Sequence, residues 1–182
     1  MEQKQLSLGD VLSNAFKIGF KNILSLILAY ILWIITIWIP YLNVGTTIAM
    51  FSLPLSLSKG KVISPLEIFD GKYRKYMGEY FMLQGLKNIV LIPALLFMII
   101  PAIIINLSWS LALLILIDKE MDPSSALGES NKMTYGHKWT IFFSYLILAI
   151  PLAIPFLNIV YLIIFLPVML GARAYIYQQL SS

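Results

Sequence analysis

The residues able to do chemistry are few, and their spacing assembles no reaction centre. There is no cysteine and a single histidine, His137, which removes thiolate nucleophiles, disulfides, thiolate metal sites and histidine-clustered zinc or iron centres. His137 follows Gly136 and precedes Lys138-Trp139, where a polar stretch gives way to an apolar one. Nothing near it forms the strand–turn–helix elbow that presents a nucleophilic serine. The carboxylates Asp10, Glu67, Asp70, Glu79 and Glu129 lie in polar stretches with no spacing that singles out an acid–base dyad, and solvated helix faces carry such groups anyway. No ionisable residue stands in the middle of an apolar run, which argues against ion or proton coupling. The chain is therefore expected to be no enzyme and to hold no cofactor or metal.

One constellation does repeat. Asn43, Asn106 and Asn158 each follow shortly after a proline inside long apolar sequence, Pro40, Pro101 and Pro155 in turn. A pseudo-threefold arrangement would gather the three amides as a polar ring near one membrane surface. The alternative is a turn former at each place, satisfying backbone groups freed at a helix end. Pro54, Pro93, Pro151 and Pro167 fall within apolar helices, where they free carbonyls and bend the chain.

The elements that would position these residues follow from composition. Apolar residues make up 59% of the 182 and charged residues 12%, with a mean hydropathy of +0.84. A soluble protein carries about 25% charged residues, so lipid is the solvent this chain is built for. The net charge of +4 comes from basic residues flanking apolar runs, a positive-inside pattern without the basic stripe or recognition motif of a nucleic-acid binder. The N-terminus lacks the basic region followed at once by an apolar core that marks a secretory signal.

Three segment starts read alike: Ser7-Leu8-Gly9-Asp10, Ser64-Pro65-Leu66-Glu67 and Asp122-Pro123-Ser124-Ser125, spaced 57 and 58 residues apart. Each opens on a good N-cap residue, two have proline at the first helical position, and two carry an acid three residues on. The first helix lines up Leu8, Val11, Leu12, Ala15, Phe16 and Gly19 on one face, and the second Leu66, Phe69, Tyr73, Tyr76, Met77 and Tyr80, as in helices that lie in the headgroup region. After each come two apolar runs: about 23–39 and 44–58, 84–100 and 102–117, 139–154 and 158–173. The expected fold is all-α, a six-helix transmembrane bundle of three hairpins, each preceded by a cytoplasmic interfacial amphipathic helix, in one membrane domain with a threefold parallel repeat (about 6–61, 62–120 and 121–182).

On this plan every Lys, Arg, Asp and Glu lies on or at the edge of the near side and the far turns carry none, which puts both termini in the cytoplasm. Lys17, Lys21, Arg74, Lys75 and Lys138 are then candidate contacts to lipid headgroups. Helices of about 16 residues rise only about 24 Å against about 30 Å of hydrocarbon, so the hairpins either thin the bilayer or enter it as wedges.

Ala126-Leu127, with Ser130, Met133, Gly136, Lys138-Trp139 and Phe142, and further on Pro167, Ala172, Ala174 and Tyr175, resembles bacterial membrane proteins of the domain of unknown function 975 family. That family is similar to the membrane domain attached to some glycerophosphodiester phosphodiesterases. The resemblance implies a multi-pass protein of the bacterial inner membrane and supplies no activity. The function expected is therefore non-enzymatic, acting on membrane lipids or docking a protein partner at the cytoplasmic leaflet. The alternative is permeation of a small molecule or lipid between the three hairpins.

Overall fold

The computed structural model describes residues 5–154 and 157–181, leaving aside the side chains of 157–160 and 162. All regular structure among the described residues is helical. Helix α1 (Leu8–Lys21) buries Val11, Ala15 and Gly19 at four-residue spacing. The sequence places this stripe against lipid; the structure packs it against the C-terminal helix, because small residues let the two backbones meet. Asn22 ends α1 and turns the chain by 75° into α2 (Ile23–Thr36). Its amide donates to the Ile18 carbonyl at 3.3 Å, and its Oδ1 accepts from the Ile63 N–H at 3.2 Å. One side chain thus closes a helix and pins a distant connector.

Helix α3 (Leu42–Ser58) runs back along α2. The pair is joined by a 2.8 Å contact between the Thr36 and Thr46 hydroxyls and by Trp33 Nε1 donating to Thr47 at 3.0 Å. The tip turns at Tyr41, with φ of 68°, beside Pro40 as the sequence suggested.

The second amphipathic segment is not one helix. It forms two short 3₁₀ helices, Pro65–Phe69 and Gly71–Tyr76, broken at Asp70. The Glu67 carboxylate does not fold back to cap the helix. Its Oε1 accepts from Ser56 at 2.9 Å and Tyr73 at 3.0 Å, while Asp70 starts a new cap by accepting from the Lys72 N–H at 3.0 Å. That amide bond and the Lys72 ammonium hold the Asp70 carboxyl below the usual carboxylate range. A Cβ on Gly45 would lie 2.9 Å from Arg74 Cγ, so the connector runs along α3 toward its start.

Helix α4 (Met77–Phe97) follows, then an extended Met98, α5 (Ile99–Ser108) and α6 (Ala112–Asp118). The turn falls at Met98, before Pro101. Proline is tolerated in the first turn of a helix, where its missing N–H would have had no partner, so Pro101 begins α5 instead of breaking it. The break between α5 and α6 is covered by α7 (Pro123–Thr134): Ser130 donates to the Ser108 carbonyl at 2.7 Å and accepts from the Leu111 N–H at 3.3 Å. Helix α7 starts as expected, with Asp122 Oδ1 accepting from the Ser125 N–H at 3.0 Å. Helix α8 (Lys138–Ala149) and a 3₁₀ turn (Ile150–Ala153) lead to α9 (Leu157–Ser181). Pro155 lies outside the described residues.

Helix α9 is the shared wall of two apolar cores. Val168, Ala172, Ile176 and Tyr177 face the core built with α1, α6, α7 and α8, while Leu170 and Ala174 face the one built with α2 and α3. The outer α4–α5 hairpin is different: Leu96, Phe97 and Ile100 are 80%, 86% and 70% exposed, which is how a lipid-facing surface looks. By length and composition two helical stretches among the described residues suffice to cross a membrane, Gly71–Phe97 and Ile99–Asp118, or three if the bent α1–α2 pair is counted as one span.

A Cβ on Gly171 would sit 2.5 Å from the Ala15 carbonyl oxygen, and one on Gly78 would meet nothing within 4 Å. Gly171→Ala is therefore expected to cost about 1–3 kcal/mol, the range for overpacking, and Gly78→Ala to cost nothing. Thermal unfolding of the two variants in the same detergent checks the contrast.

Candidate functional site

Six helices converge on a cavity of about 460 Å³, within the range of about 300–1,000 Å³ typical of small-molecule sites. Its walls are mostly apolar and aromatic: Tyr30 and Trp33 from α2, Met50 and Phe51 from α3, and Phe165, Leu166, Met169 and Leu170 from α9. Set into them are Lys87 of α4, Asn106 of α5, Ser110, Tyr145 of α8 and Arg173 of α9.

Two features of this polar group stand out physically. Lys87 and Arg173 are both basic and line the same cavity, and among the described residues neither forms an ion pair. The Tyr145 hydroxyl is buried with no hydrogen-bond partner, although such a group ordinarily finds one. Ser110 donates to the Leu107 carbonyl at 2.8 Å and keeps its lone pairs. An apolar chamber with two unpaired basic side chains and an unsatisfied hydroxyl has the chemistry to hold an anion carrying an apolar body.

The candidates read from sequence are distributed unevenly around this chamber. Asn106 lines it. Asn43 sits at the α2–α3 tip, donating to the Ile37 carbonyl at 2.9 Å and accepting from Thr47 at 3.1 Å, which is the work of a turn former. Asn158 belongs to the α9 backbone, and its side chain lies outside the described residues. Among the proposed headgroup contacts, Lys17 and Lys21 stand exposed on α1. Lys75 is paired with Glu120 at 3.2 Å, and Lys138 donates to Asn131 at 3.2 Å. The stem of Arg74 crosses Gly45. Lys75 and the Tyr76 hydroxyl hold the exposed Glu120 carboxyl below its ordinary range, so that corner is internally matched.

Lys87 and Arg173 read in the sequence as snorkelling residues at the edges of apolar runs. Helix α4, however, starts at Met77, seven residues before the apolar run, so Lys87 stands at its midpoint, ten residues from either end. Lys87, near the edge of its apolar run, therefore stands at the middle of its helix. The extra turns come from Met77, Tyr80, Phe81, Met82 and Leu83, whose apolar bulk continues the helix back past Glu79.

Elsewhere, Asp118 accepts hydrogen bonds from Lys59 and, at 2.6 Å, from Tyr177, each 59 residues away along the chain. His137 is buried beside Leu6 and Thr140 at a polar recess. No group of three or more metal-ligating side chains occurs among the described residues.

Without a protein partner, the Tyr145 hydroxyl costs roughly 1–3 kcal/mol of lost hydration without return. Tyr145→Phe should leave the lipid-free protein as stable as the parent or about 1 kcal/mol more so, as read from unfolding in detergent. A clear loss of stability would show that the hydroxyl has a partner. The chain matches no family model, no curated protein and no solved structure.

Proposed function

We propose that this chain is a non-enzymatic, multi-pass protein of the bacterial inner membrane that acts on the bilayer by holding one of its anionic lipids between its hairpins. The observation that carries the reading is the pair of unpaired cations, Lys87 and Arg173, set in an otherwise apolar and aromatic chamber. Bringing charge into such surroundings is costly unless it is matched, so the match comes from a ligand. The exposed apolar surface of α4 and α5 lets the ligand's acyl chains continue into surrounding lipid.

The proposed architecture is three parallel helical hairpins with both termini cytoplasmic. The bonds from Lys59 and Tyr177 to Asp118 support it: the three residues stand near the close of the three proposed units and meet in space. The near-side lysines serve as accessory contacts to headgroups. Binding fits better than permeation, because the lining is dominated by apolar and aromatic side chains and Asn43 is tied up at its own turn.

Protein purified from membranes in mild detergent should retain an anionic lipid detectable by native mass spectrometry. Replacing both cations, Lys87→Met with Arg173→Met, should reduce retention at least about tenfold, the order expected for losing one charge-assisted contact of about 1.5–3 kcal/mol. Equal retention by parent and double variant would sink the proposal. For the topology, an impermeant thiol reagent should label Tyr41→Cys and Met98→Cys from outside intact spheroplasts; labelling only after lysis would overturn the three-hairpin plan.

A further inference from the structure

The charge and donor set of the cavity specify the headgroup more closely than "anionic". Lys87 and Arg173 bring two positive charges, and among the described residues no carboxylate lines the cavity to offset either. A carboxylate or a phosphodiester carries one negative charge, which leaves one cation unmatched in a chamber of low polarity, where that mismatch is costly. A phosphomonoester carries about 1.5 to 2 negative charges near neutral pH and offers three strong acceptor oxygens.

The donors correspond. Arg173 presents a planar fork suited to two phosphate oxygens, and Lys87 a compact ammonium suited to a third. Tyr145 holds a buried hydroxyl with nothing to bond, and the Asn106 side chain lines the same space. The unpartnered hydroxyl is an observation independent of the charge count, and it points into the same chemistry: a group made only of acceptors.

We propose that the cavity selects a phosphomonoester, taken from a lipid whose acyl chains lie along Phe165, Leu166 and Met169. This rests on the reading above that the cavity holds a bilayer lipid. The location supports a lipid source over free phosphate. Lys87 is ten residues from either end of α4, about 15 Å along the axis, and the walls beside it are apolar, which dissolved phosphate does not require.

Three probes separate the possibilities. The delipidated full chain is titrated with phosphatidate, with phosphatidylmethanol and with inorganic phosphate, following thermal stabilisation and bound mass. Phosphatidylmethanol has the same acyl chains and differs by one methyl ester that removes the second charge. Phosphatidate is expected to bind at least tenfold tighter than phosphatidylmethanol. The preference should vanish in Lys87→Met, persist in Lys87→Arg and weaken several-fold in Tyr145→Phe, a variant expected to fold at least as well as the parent.

Equal binding of the two lipids, lost in the Lys87→Met/Arg173→Met variant, would overturn the phosphomonoester assignment and leave the lipid-binding reading standing. Binding of neither lipid would overturn both. Inorganic phosphate matching phosphatidate at equal concentration would assign the site to free phosphate and overturn the lipid source. An undiminished phosphatidate preference in Lys87→Met would place the headgroup elsewhere and overturn the site.

Discussion

The interior of this protein is organised by the place where α1 and α9 touch backbone to backbone. Side chains beyond a hydrogen atom do not fit there: a Cβ on Gly19 would lie 2.8 Å from the Pro167 carbonyl oxygen, and one on Gly171 would lie 2.5 Å from that of Ala15. Where lipid surrounds the helices, apolar burial alone gives little drive for association, and close approach through small residues supplies the dispersion contacts that hold helices together. The contact joins the first helix of the chain to the last. It also fixes α9 as the wall from which Val168 and Ala172 face one core and Leu170 and Ala174 the other. Arg173 stands two residues beyond Gly171 and Tyr177 one turn further on. The same backbone contact therefore sets where a cation enters the cavity and where a hydroxyl meets Asp118.

Among the described residues the buried polar side chains away from the cavity are matched. Glu67 takes Ser56 and Tyr73, Asp118 takes Lys59 and Tyr177, and Ser130 and Thr134 close the break after Ser108. Each bond ties one segment to another, so the polar network does in this fold what larger apolar side chains would do in a soluble core. Against that background the buried orphan hydroxyl of Tyr145 stands apart, and it lines the same chamber as Lys87 and Arg173.

Much of this frame was legible in residue order, because local rules sufficed. Asp122-Pro123 announces α7, Pro40 through Asn43 announces a turn, and the four-residue spacing of Val11, Ala15 and Gly19 announces a buried stripe. What that stripe would meet was not legible, since lipid and a glycine-bearing helix make the same demand on it. Pro101 misled for a related reason: proline suits both a break and a first helical turn, and only the extended Met98 decides between them. The 3₁₀ break at Asp70 arises from Glu67 being drawn to Ser56 and Tyr73, a tertiary competition invisible to capping rules. The cavity was the least legible part. Lys87 and Arg173 are far apart in sequence, each has the appearance of a snorkelling residue at a run end, and only the packing of α4, α8 and α9 makes them neighbours of Tyr145.

The placement of those cations also bears on how the hairpins are held together. On their own, α4 and α9 present like charges in Lys87 and Arg173, which repel and disfavour their approach. Among the described residues α4 buries only Leu83, so it has little apolar packing to offset that repulsion. An anion between Lys87 and Arg173 reverses the sign of the interaction and joins α4 to the wall on which both cores are built. A ligand that binds the folded arrangement and not a splayed one stabilises it in proportion to its saturation. On the proposed reading the cavity is a site of recognition and also the joint by which a weakly packed hairpin is fastened to the rest, and the two roles follow from one pair of charges.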